Sequence, residues 1–209
     1  MRHFKNHAGF TLVELLTVVV IIGLMLAIAV PSINRITQSS ALNNGARQFS
    51  DRMAMARTYA LVNASNVCLV VTYSGTFDGT TGSNYLNNIA YGFCTINSSA
   101  QTTNYIDPIQ YLPAGVVFSE TATYSSFNTL TNSIPFPSSN SVAVSVLCVN
   151  INEYGQIRPL YQKPTFYLTQ GYVNTNSGAS VTTPTYPATD MIEINPLTGK
   201  ATITKLLSP

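Results

Sequence analysis

The side chains best suited to catalysis are scarce in this chain of 209 residues, which has two histidines and three cysteines. His3 and His7 both lie within the first nine residues. If that segment is removed, no histidine remains, which excludes His-based acid–base catalysis, Ser-His and Cys-His nucleophiles, and His-ligated metals. The acidic residues form no recognisable catalytic pair. The sequence therefore predicts a protein that is not an enzyme and that holds no metal or cofactor.

The cysteines Cys68, Cys94 and Cys148 form no CxxC pair, and their spacing matches no zinc or iron–sulfur motif. If the domain lies outside the cytoplasm, the three cysteines allow one disulfide and one free thiol, with the pairing left open. The alternative is that all three are buried thiols in strands, where cysteine behaves as a small apolar residue.

The charge balance depends on the N-terminus. The formal net charge is +2, with ten basic and eight acidic residues. Removal of Arg2 and Lys5 with the first nine residues would leave eight basic side chains against eight acidic ones, so the shortened chain would be near neutral. Nothing in this balance requires nucleic acid, and we do not expect a nucleic-acid partner.

The segment from Phe10 to Val30 is almost wholly apolar. As a helix it would span about 30 Å, which matches the hydrocarbon core of a bilayer. Because Arg2 and Lys5 precede it, the positive-inside rule places the N-terminus in the cytoplasm and the rest outside. A secretory signal peptide would have a shorter apolar stretch followed by a small-residue cleavage site. An ordinary signal anchor remains an alternative, but it does not explain Glu14, since ionisable groups in membrane helices usually have a functional partner.

The sequence GFTLVELL (residues 9–16), preceded by a short basic leader, resembles the processing site of type IV prepilins and type II secretion pseudopilins. The resemblance implies that a prepilin peptidase cuts after Gly9 and methylates the new N-terminus at Phe10. It also implies a single-pass protein of the bacterial inner membrane with a periplasmic domain, which other pilins or pseudopilins would draw into a filament. Glu14 matches the acidic residue that the family uses in assembly.

The charge of Glu14 leads to a specific hypothesis. A carboxylate that leaves the bilayer to lie among apolar helices needs an opposite charge beside it. Cleavage after Gly9 would create such a charge, the amine of Phe10. We therefore expect Glu14 to pair with the Phe10 amine of a neighbouring subunit and to set its register.

Beyond Pro31 the helix is expected to continue to about residue 65. One set of apolar residues recurs at helical spacing and predicts the face that packs on a globular domain: Leu42, Ala46, Phe49, Met53, Ala56 and Ala60. The arginines of this segment are predicted to be solvated: Arg35, Arg47, Arg52 and Arg57.

From residue 66 onward, short segments rich in β-branched and aromatic residues alternate with turns. Strands are predicted at residues 67–73, 89–96, 115–119, 142–151, 165–169, 191–194 and 201–205. The turn Pro196–Gly199 is predicted to join the last two as a hairpin. The expected fold class is α+β, with one long helix packed on an antiparallel sheet or sandwich. The chain would comprise a leader (1–9), a transmembrane and filament-core helix (10–30), an amphipathic helical extension (31–65) and a β-rich domain (66–209).

The order of these segments resembles the GspH/FimT-type minor pseudopilins, through ARTYALVNASNV, LPAGVVF, NEYGQIR and EINPLTGKATI. This resemblance implies a structural subunit of a type II secretion pseudopilus or a type IV pilus. The alternative is a pilus-borne binding subunit, either an adhesin or a DNA receptor, whose contact region would be the long polar stretch 97–141. That stretch is expected to be a loop insertion.

Overall fold

A computed structural model describes residues 10–73, 76, 86–97, 102–119, 132–138, 141, 143–158, 163–174, 180–185 and 187–206, with only the backbone described at 27–36, 102, 132 and 180. The chain divides into two compact units, residues 1–37 and 38–209. The first unit consists, where described, of the start of one long helix. The second contains the rest of that helix and all the strands.

Helix α1 runs from Leu12 to Val62 and is continuous through Pro31. Its C-terminal end is closed by Ser65, whose backbone N–H donates to Ala60 O at 3.1 Å, while Ala64 adopts a positive φ of 45°. Such a left-handed residue just past the last turn is a common helix stop. The end agrees with the one predicted near residues 63–66.

The predicted apolar stripe of α1 forms one side of the main core. All six of its residues, Leu42 to Ala60 at helical spacing, are buried. Phe49 lies at the centre, with its ring 4.5 Å from that of Phe166, 5.3 Å from Tyr91 and 5.4 Å from Phe118. Because these three aromatics come from three different strands, Phe49 ties the helix to both sheets at once.

The described strands are short and number thirteen. They are β1 (Val67–Val71), β2 (Ala90–Asn97), β3 (Thr102–Tyr105), β4 (Gln110–Tyr111), β5 (Val116–Phe118), β6 (Asn132–Pro135), β7 (Ala143–Ile151), β8 (Ile157–Arg158), β9 (Thr165–Gln170), β10 (Tyr172–Asn174), β11 (Ser180–Thr182), β12 (Thr189–Ile194) and β13 (Ala201–Leu206).

These strands form two main antiparallel sheets and a small ribbon. The first sheet has the order β3-β2-β1-β7-β6, with β4 beside β2 and β8 beside β7. The second has the order β13-β12-β9-β5, and β10 pairs with β11. Helix α1 packs on both sheets through the core around Phe49. The α+β class expected from the sequence is thus confirmed.

Strand β1 is buried on both faces. Val67, Leu69 and Val71 point into the core beneath the helix, whereas Cys68 and Val70 join a second apolar cluster on the opposite face. Since successive side chains of a strand alternate between faces, this central strand is apolar at every position.

One sequence expectation needs correction. The stretch 97–141 is not simply an inserted loop, because its described residues contain β3, β4 and β6 as well as the predicted β5. The short strands β4 and β8 have only two residues each, too few for an alternation pattern to be recognised.

The seven predicted strands are all present, within two residues at each end. Antiparallel pairing joins the last two, β12 and β13, as the expected hairpin. Segments with strong β-branched and aromatic runs were therefore recognisable, and the strands that were missed are mostly the shorter ones.

Candidate functional site

The N-terminus of α1 is closed by a reciprocal set of hydrogen bonds between Thr11 and Glu14. The backbone N–H and the hydroxyl of Thr11 both donate to Glu14 Oε2, each at 2.9 Å. In return, the Glu14 backbone N–H donates to Thr11 Oγ1 at 3.3 Å. Thr11 is thus the N-cap and Glu14 the third helical residue, the arrangement called a capping box.

This geometry leaves one carboxylate oxygen available. Glu14 Oε2 carries both bonds from Thr11, while Oε1 has no hydrogen-bond partner among the residues that the structure describes. The carboxylate also lies in the first turn, where the partial positive charge of the helix terminus favours an anion. Glu14 can therefore remain ionised at the helix end and still accept a bond from a cation outside the chain.

The side chains around Glu14 are apolar and exposed. Phe10 is 80% exposed and Leu12 79% exposed, and the large apolar residues from Val13 to Leu26 are exposed as well. So large an apolar surface is expected to be covered by lipid or by other protein. Within the described residues, no helical stretch meets the length and hydropathy that a membrane span requires. Within the predicted span, the side chains of residues 27–30 lie outside the described part of the chain, and Gly9 also lies outside it.

The three cysteines lie together on one face of the first sheet. Cys68 on β1 and Cys148 on β7 form a disulfide, with their Cα atoms 5.8 Å apart. Cys94 on β2 lies directly opposite Cys68 in the strand register and is a buried free thiol. Burial raises the pKa of the Cys94 thiol to about 12, so that it stays protonated and poorly nucleophilic at neutral pH. Sequence spacing carries no signal for this pairing, because all three cysteines meet only when β2 and β7 both pair with β1.

Two of the helix arginines are structural, contrary to the prediction that all are solvated. Arg57 is half-buried, and its Nε donates to Gly155 O at 3.0 Å. A Cβ at Gly199 would lie 2.4 Å from Arg57 Cδ, so the side chain fits between the β7–β8 turn and the β12–β13 turn. Arg52, partly buried, forms an ion pair with Asp107 on the loop before β4. The arginines serve as clamps because their long stems cover apolar surface while their heads reach loop acceptors.

Asp190 is a buried carboxylate that the sequence prediction missed. The residue is 3% exposed, and Oδ2 has no hydrogen-bond partner in the described structure. Desolvation raises the pKa of Asp190, and the charge of Lys205 on the adjacent strand opposes that rise. A signal was present, since Asp190 falls in the same alternating set as the inward-facing Ile192 and Ile194, but the strand was predicted to begin one residue later.

Among the described residues, no group of three or more His, Cys, Asp or Glu side chains is placed so that it could hold a metal ion. The features that could act on another molecule are therefore the capped N-terminus of α1 and the surfaces of the β-rich unit.

Comparison with known proteins gives three findings. Residues 4–30 match the family model of the prokaryotic N-terminal methylation motif, a range that contains Gly9, Phe10 and Glu14. The type IV minor pilin FimU of Pseudomonas aeruginosa (strain PAO1) is 11% identical in sequence, with 83% of this chain and 92% of that one covered and a TM-score of 0.44. The minor pseudopilin EpsH from the type 2 secretion system of Vibrio cholerae is 8% identical, with 80% and 97% covered and a TM-score of 0.40. No curated protein matches the chain.

The methylation motif coincides with the segment in which Thr11 and Glu14 close the helix, and it covers the glycine, the aromatic residue and the acid that the sequence singled out. Residues 4–30 thus carry the prokaryotic N-terminal methylation motif.

Proposed function

We propose that this protein is a minor subunit of a pilus-like filament, made as a prepilin and cut between Gly9 and Phe10. Prepilin peptidase removes residues 1–9 and methylates the Phe10 amine. Residues 10–30 anchor the subunit in the inner membrane and later pack in the filament core. Residues 31–65 continue the helix, and residues 66–209 form a periplasmic domain. The methylation motif supports the processing steps.

A filament subunit of this kind is structural and need not catalyse a reaction. Its proposed function depends on the surfaces that contact other subunits. The first is the helix N-terminus, where Glu14 Oε1 has no hydrogen-bond partner among the described residues and Phe10 is exposed.

The capping box is the observation that carries the proposal. In the membrane-inserted subunit, Thr11 donates two hydrogen bonds to Glu14. These bonds offset part of the free-energy cost of placing a carboxylate near hydrocarbon. In a filament, the protonated Phe10 amine of the neighbouring subunit donates a hydrogen bond to Oε1. A pair between a carboxylate and an ammonium buried among apolar helices is strongly register-dependent, because breaking it leaves an unpaired buried charge.

The experiment compares Glu14→Gln with Glu14→Val in the native host. Glutamine can still accept the Thr11 bonds through its amide oxygen, since Gln also serves at this position of a capping box. Glu14→Gln should therefore insert and be processed normally, yet fail to enter filaments, because its neutral amide cannot neutralise the charge of the protonated Phe10 amine. Glu14→Val should insert as well and show the same assembly defect.

The readout is the amount of subunit in the membrane fraction and in sheared filaments. Normal incorporation of Glu14→Gln would overturn the charge-pairing role. Loss of the protein from the membrane fraction in both variants would instead mean that Glu14 acts in insertion, which also contradicts the proposal.

A nucleic-acid receptor has less support. Arg52 and Arg57 are engaged by Asp107 and by Gly155 O, so neither is a free surface cation. Lys163 is paired with Glu193 at 2.8 Å. Because DNA affinity comes largely from phosphate contacts by free basic side chains, a mobility-shift assay with the purified chain should show little retardation at physiological salt. Strong, salt-sensitive retardation would favour the receptor function instead. Isolation of the filaments that contain the protein would decide between a secretion pseudopilus and a type IV pilus.

A further inference from the structure

Strand β13 forms an open edge of the second sheet. Its six residues pair with β12 without a bulge, from Ala201 opposite Ile194 to Leu206 opposite Thr189. No strand of the described structure pairs with its other side. The strand contains no proline. Edge strands with these properties are templates for pairing with another strand, and most proteins protect them.

The hydrogen-bonding groups on the open side can be identified from the register. Asn195 N–H donates to Lys200 O, so the residues that bond to β12 are Lys200 and every second residue after it. The intervening residues, Ala201, Ile203 and Lys205, therefore direct their N–H and C=O groups to the open side. No backbone hydrogen bond to these groups occurs within the described ranges.

Two other edge strands, β5 and β6, are protected. On β5, Phe118 N–H donates to Asn88 O at 2.7 Å, and Asn88 Nδ2 donates back to Phe118 O at 3.1 Å. On β6, Pro135 lacks an N–H, and its carbonyl accepts from the Tyr105 hydroxyl at 2.7 Å. Strand β3 has only four residues. Of the edge strands β3, β5, β6 and β13, the longest is β13.

Charge alone does not protect β13. Lys205 is exposed and would repel a second lysine placed directly opposite it. However, Ala201 and Lys205 lie two residues to either side of Ile203, on the same face of the strand. In an antiparallel pair of two β13 strands centred on Ile203, Lys205 lies opposite the small Ala201 rather than opposite another lysine. On the other face, Thr202 lies opposite Thr204, a favourable cross-strand combination.

We propose that β13 is a self-pairing edge, through which two copies of this chain join antiparallel in a two-fold arrangement centred on Ile203. Two four-stranded sheets then become one continuous sheet. Every outward N–H and C=O of Ala201, Ile203 and Lys205 finds a partner in the second copy. The half-buried side chain of Ile203, which borders the core, gains apolar cover from Ile203 of the second copy, and Ala201 lies beside the aliphatic stem of Lys205 of the second copy. Because a two-fold contact is closed, both edges are used up and no chain of copies grows.

A contact made by one six-residue strand from each copy is expected to be smaller than the roughly 1,200–2,000 Å² of a stable interface. It is therefore reversible, and cross-linking is the suitable way to detect it. The inference does not depend on the proposed cleavage or on the role of Glu14.

The experiment uses the full chain in its native membrane with single introduced cysteines and a mild oxidant. Background cross-linking should be low, because Cys68 and Cys148 are already joined and Cys94 is buried. In the proposed pair, the two copies of residue 203 have Cα atoms about 5.5 Å apart, so Ile203→Cys should give a disulfide-linked dimer. Leu206→Cys is the matched control. Leu206 is 40% exposed, but its two copies would be about 20 Å apart.

A second pair of variants keeps the test independent of any effect of Ile203→Cys on folding. Thr202→Cys and Thr204→Cys, both on exposed positions, are produced in the same cells with different tags. Residues 202 and 204 of different copies would be about 4.5 Å apart, so the mixed dimer should form several-fold more than either homodimer.

The proposal is overturned if Ile203→Cys cross-links no more than Leu206→Cys, or if the mixed dimer does not exceed the homodimers. A cross-linked product that contains a different protein in place of the second copy would also overturn it.

Discussion

Glu14 and Thr11 hold each other at the start of α1: Thr11 gives two donors to Glu14 Oε2, each at 2.9 Å, and its hydroxyl accepts from the Glu14 backbone N–H. One carboxylate oxygen is thereby occupied within the subunit, while the other is left for an outside partner. The same acid can thus stabilise its own helix terminus and bind a cation of another subunit, and these two roles can be separated by substitution.

Thr11→Val should weaken assembly without abolishing it. The substitution removes the hydroxyl bonds but keeps the Thr11 backbone N–H, so Glu14 keeps its charge and loses part of its orientation. Loss of an N-cap side chain typically costs about 1 kcal/mol of helix stability. Incorporation into filaments should lie between that of the unsubstituted chain and that of Glu14→Gln. Thr11→Ser, which keeps the hydroxyl, is the control. Equal incorporation of Thr11→Val and Thr11→Ser would show that the cap has no part in assembly.

Arg57→Met should destabilise the β-rich unit. Methionine keeps much of the apolar stem, but Gly155 O loses the donor that Arg57 Nε provides at 3.0 Å. A partly buried carbonyl left without a partner costs about 1–3 kcal/mol. Denaturant unfolding of the purified chain measures the loss. Arg47→Met, at an exposed position of the same helix, should change the free energy of unfolding by less than about 0.5 kcal/mol. Equal effects of the two substitutions would contradict the clamp.

The bond between Cys68 and Cys148 should contribute to stability in a way that a reductant reveals. It closes a loop with a sequence separation of 80 residues, and such bridges typically add about 2–4 kcal/mol. A reductant should therefore lower the unfolding midpoint of the unsubstituted chain. The double variant Cys68→Ala/Cys148→Ala should already be less stable and should not respond to the reductant. An unsubstituted chain that is equally stable with and without reductant would contradict the pairing.

Asp190 should make stability depend on pH. Desolvation raises the pKa of Asp190 in the folded chain above its ordinary value near 3.8. Below that value the carboxyl is protonated in both the folded and the unfolded chain, and burial brings no electrostatic penalty. As the pH rises through the ordinary and then the raised pKa, the folded chain loses stability. Asp190→Asn removes this loss, so its advantage over the unsubstituted chain should grow with pH and then level off.

Lys205→Gln provides the control for Asp190. The charge of Lys205 offsets part of the desolvation, so its removal should enlarge the advantage of Asp190→Asn at neutral pH. A stability difference between Asp190→Asn and the unsubstituted chain that does not vary with pH would refute the assignment.

The elements with strong local patterns could be predicted from the sequence. The apolar residues from Leu42 to Ala60 recur at the helical period, and β1 is a continuous apolar run. The local sequence therefore indicates that both are buried, as they are. The turn Pro196–Gly199 likewise defines its hairpin, since Gly199 takes a φ of +62° that favours glycine.

The remaining features depend on contacts that are distant in sequence. Arg57 resembles any solvated helix arginine until the turns at Gly155 and Gly199 are brought beside it. Cys68 could have paired with either other cysteine, because β2 and β7 both lie beside β1 and the sequence does not show how the three side chains meet. The cap between Thr11 and Glu14, by contrast, is a local T-x-x-E pattern that could have been recognised from sequence.

The most direct test of the account is mass spectrometry of the N-terminus of the protein isolated from its native membrane. If the protein is a processed pilin-like subunit, the N-terminal peptide should begin at Phe10 and carry one methyl group on its amine. A polypeptide that still begins at Met1, or that starts with an unmodified residue far from Phe10, would remove the cation that Glu14 is proposed to bind and would contradict the account.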